Sequence, residues 1–325
     1  CTTVGPYAKY GAPLVAACVK TGTHCCDLTG EAQFIRHMFD AHHDAARDSG
    51  ARIVNCCGFD SIPSDIGTWH LQESLIARDG KPADEARLFV MSTSGGVSGG
   101  TIASMINLID EASDPEIRKI LLDPYSLNPA DKRTGPARRS PMGAQRDAVT
   151  GWWTGPFVMA AINERIVRRS NALLDDRYGA DFRYTEVTRT GRGVKGALTA
   201  YGMSAGFGAF FGAVAMRPTR ALLERFVLPS PGEGPSREAI DKGHFTLIIS
   251  GRRDGAEVGR VVVKGKRDPG YGATACMLTE SALCLAQDPL TSDGGILTPA
   301  SAMGPALISR LNATDVSFTF EDAPA

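Results

Sequence analysis

Apolar positions in the first hundred residues follow two alternating rhythms. From Tyr10 to Thr21, Leu14, Val15, Ala17, Cys18 and Val19 fall at helical spacing, and Gly22 follows as a C′ residue. From about Glu31 to Ser49, Phe34, Ile35, Met38, Phe39 and His42 recur at three and four residues, which predicts a second helix closed by Gly50. Between and after them lie short apolar runs: Thr23–Cys26, and Ala51–Cys56, β-branched like a buried parallel strand. Cys1–Val4 reads as the tail of another strand, ending at a Gly5-Pro6 turn. After Ala51–Cys56 comes the loop 57–60, then a helix with Pro63 near its first turn and Ser61 or Asp60 as cap. Strand, loop and helix in strict succession predict βαβ units and a parallel sheet covered by helices.

Beyond residue 86 the rhythm changes. Ala86–Ser94 predicts a strand, followed by a glycine-rich stretch (95–101) and an amphipathic helix to Ala112. Residues 123–156, rich in Pro, Gly and Arg, predict a long irregular excursion of the kind that usually carries function. Phe182–Thr190, Phe245–Ser250 and Glu257–Gly265 read as strands, the last two joined through an Asp254-Gly255 hairpin signal. Tyr271–Gln287 carries Ala, Met and Leu at core spacing. An α/β half is thus followed by an α+β half.

Composition narrows the classes. The 325 residues carry 35 Lys+Arg against 36 Asp+Glu, a net charge of −1, so no electrostatic footprint for nucleic acid exists. An apolar share of 43% with 22% charged residues excludes a disordered or coiled-coil chain. Eight Cys in a chain this long point to a reducing, cytoplasmic compartment and free thiols.

In an open α/β sheet, ligands bind beyond the carboxyl ends of the parallel strands. Three turns are predicted there: Val4-Gly5-Pro6-Tyr7, Cys26-Asp27-Leu28-Thr29-Gly30-Glu31, and Cys57-Gly58-Phe59-Asp60-Ser61. Each mixes glycine, which permits close backbone approach, with carboxylates or hydroxyls, and each leads into a helix N-terminus. The runs VGPYAKYGAPLVAAC, GTHCCDLTGE, ARIVNCCGFDSIPSD, SGGVSGGT and GGILTPASAMGPAL resemble the saccharopine dehydrogenase-like oxidoreductases. Within them, the chain is most similar to the mycobacterial trans-acting enoyl reductases of phenolic glycolipid and phthiocerol lipid synthesis.

The resemblance implies an α/β fold: the C-terminal part of a Rossmann-type parallel sheet (residues 1–85), a mixed α+β cover domain (86–290), and a closing segment (291–325) that returns to the core. It implies NADPH as cofactor, an acyl or polyketide lipid substrate carried by another protein, and reduction of a carbon–carbon double bond. Gly5, Pro6, Tyr7, Asp27, Gly58, Phe59 and Asp60 are the expected cofactor contacts, with Tyr7, Asp60 and Ser61 as catalytic candidates. Gly58-Phe59-Asp60-Ser61-Ile62-Pro63 departs from the Gly-x-Asp-Pro-Gly loop of saccharopine reductases proper, which turns the expectation away from an amino-acid substrate. The family's opening strand and glycine-rich phosphate loop have no counterpart in these residues, so the chain reads as an N-terminally truncated member.

Other signals have ordinary readings beside functional ones. Asp27, Glu31 and Asp65 suit helix caps as well as a site. Gly96, Ser98, Gly99 and Thr101 form either a nest for a substrate anion or a tight strand-to-helix turn. His24, Cys25, Cys26, Cys56 and Cys57 lack metal-site spacing and read as small buried side chains, and no metal is expected. His42-His43 and the cationic pieces Lys132–Arg139 and Arg165–Arg169 read as solvated. Residues 196–216 hold no charge, and suit a membrane-surface or acyl-lining segment, a core helix or a span. Peripheral contact with the inner face of the plasma membrane and a homodimer complete the expectations.

Overall fold

A computed structural model of the chain describes residues 1–94, 99–136, 139–226 and 234–323. The opening residues form the expected alternation: α1 (Tyr7–Thr21), β1 (Cys25–Cys26), α2 (Ala32–Ser49), β2 (Arg52–Val54) and α3 (Ile62–Asp79). β1 and β2 pair in parallel, Cys25 opposite Ile53, and β9 (Gly295–Leu297) adds a third parallel strand beside β2. Instead of a strand at Cys1–Val4, a single parallel bridge joins Thr2 to Asp27. α1, α2 and α3 each end in a glycine in the left-handed conformation, at Gly22, Gly50 and Gly80.

The second sheet is mixed and has the strand order β10-β8-β7-β3-β6-β5-β4. Its members are β3 (Glu85–Ser94), β4 (Gln145–Arg146), β5 (Trp153–Gly155), β6 (Arg183–Gly191), β7 (His244–Arg253), β8 (Ala256–Gly265) and β10 (Val316–Asp322). Only β3 and β6 run parallel. The β7–β8 hairpin turns tightly at Asp254 and Gly255, both at positive φ, so Gly251 and Arg252 lie in the strand and not in the turn. Leu88, Ile249, Val261 and Phe318 from this sheet pack with Ile66, Leu71 and Leu75 of α3 in one core. Gly67 permits that approach: a Cβ there would stand 2.5 Å from Ile249 Cδ1.

The remaining helices are α4 (Gly99–Glu111), α5 (Pro115–Leu122), α6 (Ala160–Leu173), α7 (Gly193–Ala215), α8 (Arg217–Phe226), α9 (Arg237–Lys242), α10 (Thr274–Gln287) and α11 (Pro299–Asn312). The 123–156 excursion contains β4 and β5 and is pinned to the large sheet. Its buried Asp147 pairs with Arg87 of β3 at 2.8 Å and Arg252 of β7 at 3.0 Å.

Arg165–Arg169 is not a solvated face. Arg165, Arg168 and Arg169 are all buried in α6. Arg169 donates to the carbonyls of Leu127 in the excursion and Ile296 in β9, and Arg168 pairs with Glu164 at 3.0 Å. These partners satisfy both terminal nitrogens of Arg169, which would otherwise be costly to bury, while its Nε has no partner among the described residues. Burial lowers Arg169 to about 9. His43 is likewise half-buried, and its Nδ1 accepts from the Ile296 amide at 3.2 Å. Cys25, Cys26, Cys56 and Cys57 are buried free thiols.

Candidate active site

The three turns share one hollow. Gly5, Pro6 and Tyr7 from the first, Gly30 and Glu31 from the second, and Gly58 and Asp60 from the third line a single cavity of about 790 Å³. That volume lies within the range of small-molecule and cofactor pockets. The opposite wall comes from α6 (Ile162, Glu164, Arg165, Arg168), the excursion (Ser140, Met142), the residues that lead from it into α6 (Phe157, Met159), Leu108 of α4, and Phe207 and Phe211 of α7. The cavity thus has a polar end at the strand termini and an apolar side reaching to α7.

Within the polar end, several predicted residues hold the backbone in place. Both carboxylate oxygens of Glu31 accept from the first turn of α1, from the amides of Tyr7 (2.8 Å) and Ala8 (2.9 Å). This cap, supplied from outside the helix, explains why α1 starts at Tyr7 and not at Tyr10. Asp27 lies behind the cavity wall, where it accepts from the Thr29 and Cys56 amides and from Asn55 Nδ2 at 2.7 Å. Burial raises its carboxyl to about 6, partly offset by those bonds. Tyr7 donates its phenol to the Thr2 carbonyl (3.1 Å) and accepts from the Leu28 amide (3.3 Å). Burial and the Asp27 carboxylate push that phenol well above its usual range.

Ser61 and Phe59 face inward and do not line the cavity. Ser61 Oγ donates to Asn163 Oδ1 at 2.9 Å, and the Phe59 ring sits edge-on to Phe245 in the core. The Phe59 amide donates to Thr274 Oγ1, which fixes the loop against α10. Asp60 differs from all of these. Its carboxyl lines the cavity, makes no hydrogen bond or ion pair among the described residues, and is raised by burial to about 6. A carboxyl in that state holds and releases a proton near neutral pH.

Gly96 and Ser98 lie outside the described residues, as does the side chain of Thr101; Gly99 and Thr101 lie in the first turn of α4. α4 reaches the site further along, where Ser104 Oγ donates to Glu31 Oε1 at 3.2 Å. The contribution of α6 was not foreseen. Its cavity-facing Glu164 accepts from the Ser140 amide (2.6 Å) and from Arg168, tying the excursion to the helix.

Relatives in curated collections carry a consistent name. A Mycobacterium ulcerans protein named trans-acting enoyl reductase is 43% identical over 337 residues, covering 97% of this chain and 78% of its own length. A Mycobacterium tuberculosis protein with a provisional form of that name is 44% identical over 334 residues, with the same coverage. This chain belongs to the trans-acting enoyl reductase family. As a member it is an oxidoreductase, and this reductase keeps the strand-end turns together in one cavity. No protein-family model matches the sequence. A solved structure of saccharopine dehydrogenase (L-Glu forming) from Saccharomyces cerevisiae aligns with a TM-score of 0.49 at 11% identity, over 99% of this chain and 84% of that one.

Proposed function

We propose that this reductase saturates a carbon–carbon double bond of an acyl or polyketide chain, with NADPH as hydride donor and Asp60 as the proton source. The observation that carries the reading is the single cavity that joins the glycine-bearing turns, the unpaired Asp60 carboxyl and a long apolar wall. When bound, the nicotinamide supplies the hydride. NADPH is the donor that the resemblance of the turns implies.

The residues fit the ring end of such a cofactor. Gly5 and Gly30 line the cavity, and a Cβ at Gly30 would meet nothing within 4 Å, which leaves bare backbone and space for a flat ring and its carboxamide. Two helix N-termini are closed to a pyrophosphate. The α1 terminus is already occupied by Glu31, and α11 is closed by a Thr298–Ser301 capping box.

The protein's own part in the reaction follows from the geometry. The cavity binds and orients the chain and excludes water along Leu108, Met142, Phe157, Phe207 and Phe211. Asp60 holds a proton at its carboxyl oxygen and gives it to the carbon that gains negative charge as the double bond is reduced. Glu31 and Tyr7 keep the turns in register without exchanging protons. The "trans-acting" of the relatives' names suits a chain delivered by a separate carrier protein.

NADPH consumption tests the reading directly. An α,β-unsaturated acyl thioester should be reduced, whereas a 2-oxo acid with lysine should give no turnover. The reverse outcome would reassign the protein to amino-acid chemistry.

A further inference from the structure

α7 is the longest helix among the described residues, at 23 residues, and it lies on the outside of the molecule. Its buried positions are few: Gly196, Ala200 and Val214. Val194, Leu198 and Tyr201 are 77%, 69% and 59% exposed, and their spacing of four and three places them on one stripe. Ala205, Gly208, Gly212 and Met216 continue the stripe in exposed positions. α8 follows directly and presents Leu222 and Phe226, 60% and 69% exposed and one turn apart. A soluble surface rarely leaves so continuous an apolar strip bare.

Around α7 the charge has one sign, and α8 carries Glu224 beside Arg225. Between Glu186 and Glu224 the sequence holds no acidic residue, while Arg189, Arg192, Lys195, Arg217 and Arg220 fall in the same stretch. Arg220 is paired with Asp110, but Lys195 and Arg217 are exposed at the two ends of α7. Aromatic rings mark one border: Trp153 and Tyr201 stand 6.0 Å apart. An apolar strip with cations at its ends and Trp and Tyr at its edge matches the lipid–water boundary. A second copy of the chain fits less well, because a two-fold interface would set the same cations against each other.

We infer that α7 and α8 dock this protein on the surface of an anionic phospholipid bilayer. The helices lie in the plane of the interface, with Leu198, Tyr201, Leu222 and Phe226 among the acyl chains and Lys195 and Arg217 at the headgroups. Phe207 and Phe211 of the same helix line the catalytic cavity, so the docked face and the cavity wall are two sides of one element. This docking stands on the surface alone and does not require the reduction chemistry.

Sedimentation with vesicles tests it without any activity assay. The full chain should bind phosphatidylcholine–phosphatidylglycerol (1:1) vesicles at least tenfold more tightly than pure phosphatidylcholine, and half-molar salt should weaken that binding. Leu198→Glu and Leu222→Glu, both outside the cavity, should keep the circular-dichroism spectrum and melting temperature but lose vesicle binding. Lys195→Glu with Arg217→Glu should abolish the preference for anionic lipid. Binding to neither vesicle, or binding unchanged in the glutamate variants, would overturn the inference. So would a dimer in lipid-free solution that Leu198→Glu dissociates while vesicles remain unbound, or vesicle binding that resists carbonate at pH 11, as only a spanning helix would.

Discussion

Glu31 closes the N-terminus of a helix that begins 24 residues earlier, its two oxygens meeting the Tyr7 and Ala8 amides at 2.8 and 2.9 Å. One carboxylate thereby joins the first turn of the cavity to the second. Glu31→Ala should lower stability by about 1–2 kcal/mol, the usual worth of a helix cap, read from urea unfolding. It should also raise KM for the dinucleotide more than it lowers kcat, because the Gly5–Tyr7 backbone loses its anchor.

Asp60 should govern the pH profile. With its carboxyl raised to about 6, the protonated form needed for transfer is lost as pH climbs past that value, so kcat should fall on the alkaline side. Asp60→Asn should reduce kcat by roughly 10²–10⁴-fold and flatten the profile, with melting temperature unchanged or higher. Retention of the profile in this variant would remove Asp60 from the chemistry.

Tyr7 is predicted to be dispensable for turnover. Its hydroxyl is already shared between the Thr2 carbonyl and the Leu28 amide, and burial keeps its proton in place. Tyr7→Phe should cost about 1 kcal/mol of stability and leave kcat within about tenfold of the wild type.

Asp65 sets a pH dependence of stability. It is fully buried, accepts from Ser170 and from the Ala300 amide at 2.8 Å, and is raised by burial from 3.8 to about 7. The folded state therefore binds this proton more tightly than the unfolded chain. The resulting stabilisation is complete below about pH 4 and is lost as pH rises to about 7. At ~1.4 kcal/mol per pH unit of separation, the loss is on the order of 4 kcal/mol. In Asp65→Asn the urea midpoint should fall less steeply than wild type between pH 4 and pH 7.5.

The polar end of the cavity was legible because its residues announce themselves: Gly5-Pro6, Gly30 and Gly58 interrupt apolar runs at strand ends. What those turns do individually was less legible. Asp27 and Asp60 look alike in sequence, yet one is enclosed by three donors and the other faces the cavity unpaired. α6 escaped because its buried face carries Asn163, Glu164, Arg168, Arg169 and Ser170, so hydrophobic periodicity reports nothing there. β9 escaped for another reason. Three residues between loops hold too little pattern to register until β2 is beside them.

Arg169 links Leu127, midway along the chain, to Ile296 near its end. The wall of the cavity is therefore fastened to a strand that follows Arg169 by 127 residues in the sequence. Without that strand, the guanidinium lacks one of its two carbonyls and the small sheet lacks a member. The far wall of the pocket is braced by a distant stretch of chain, whereas the turns of its polar end all lie between Gly5 and Asp60.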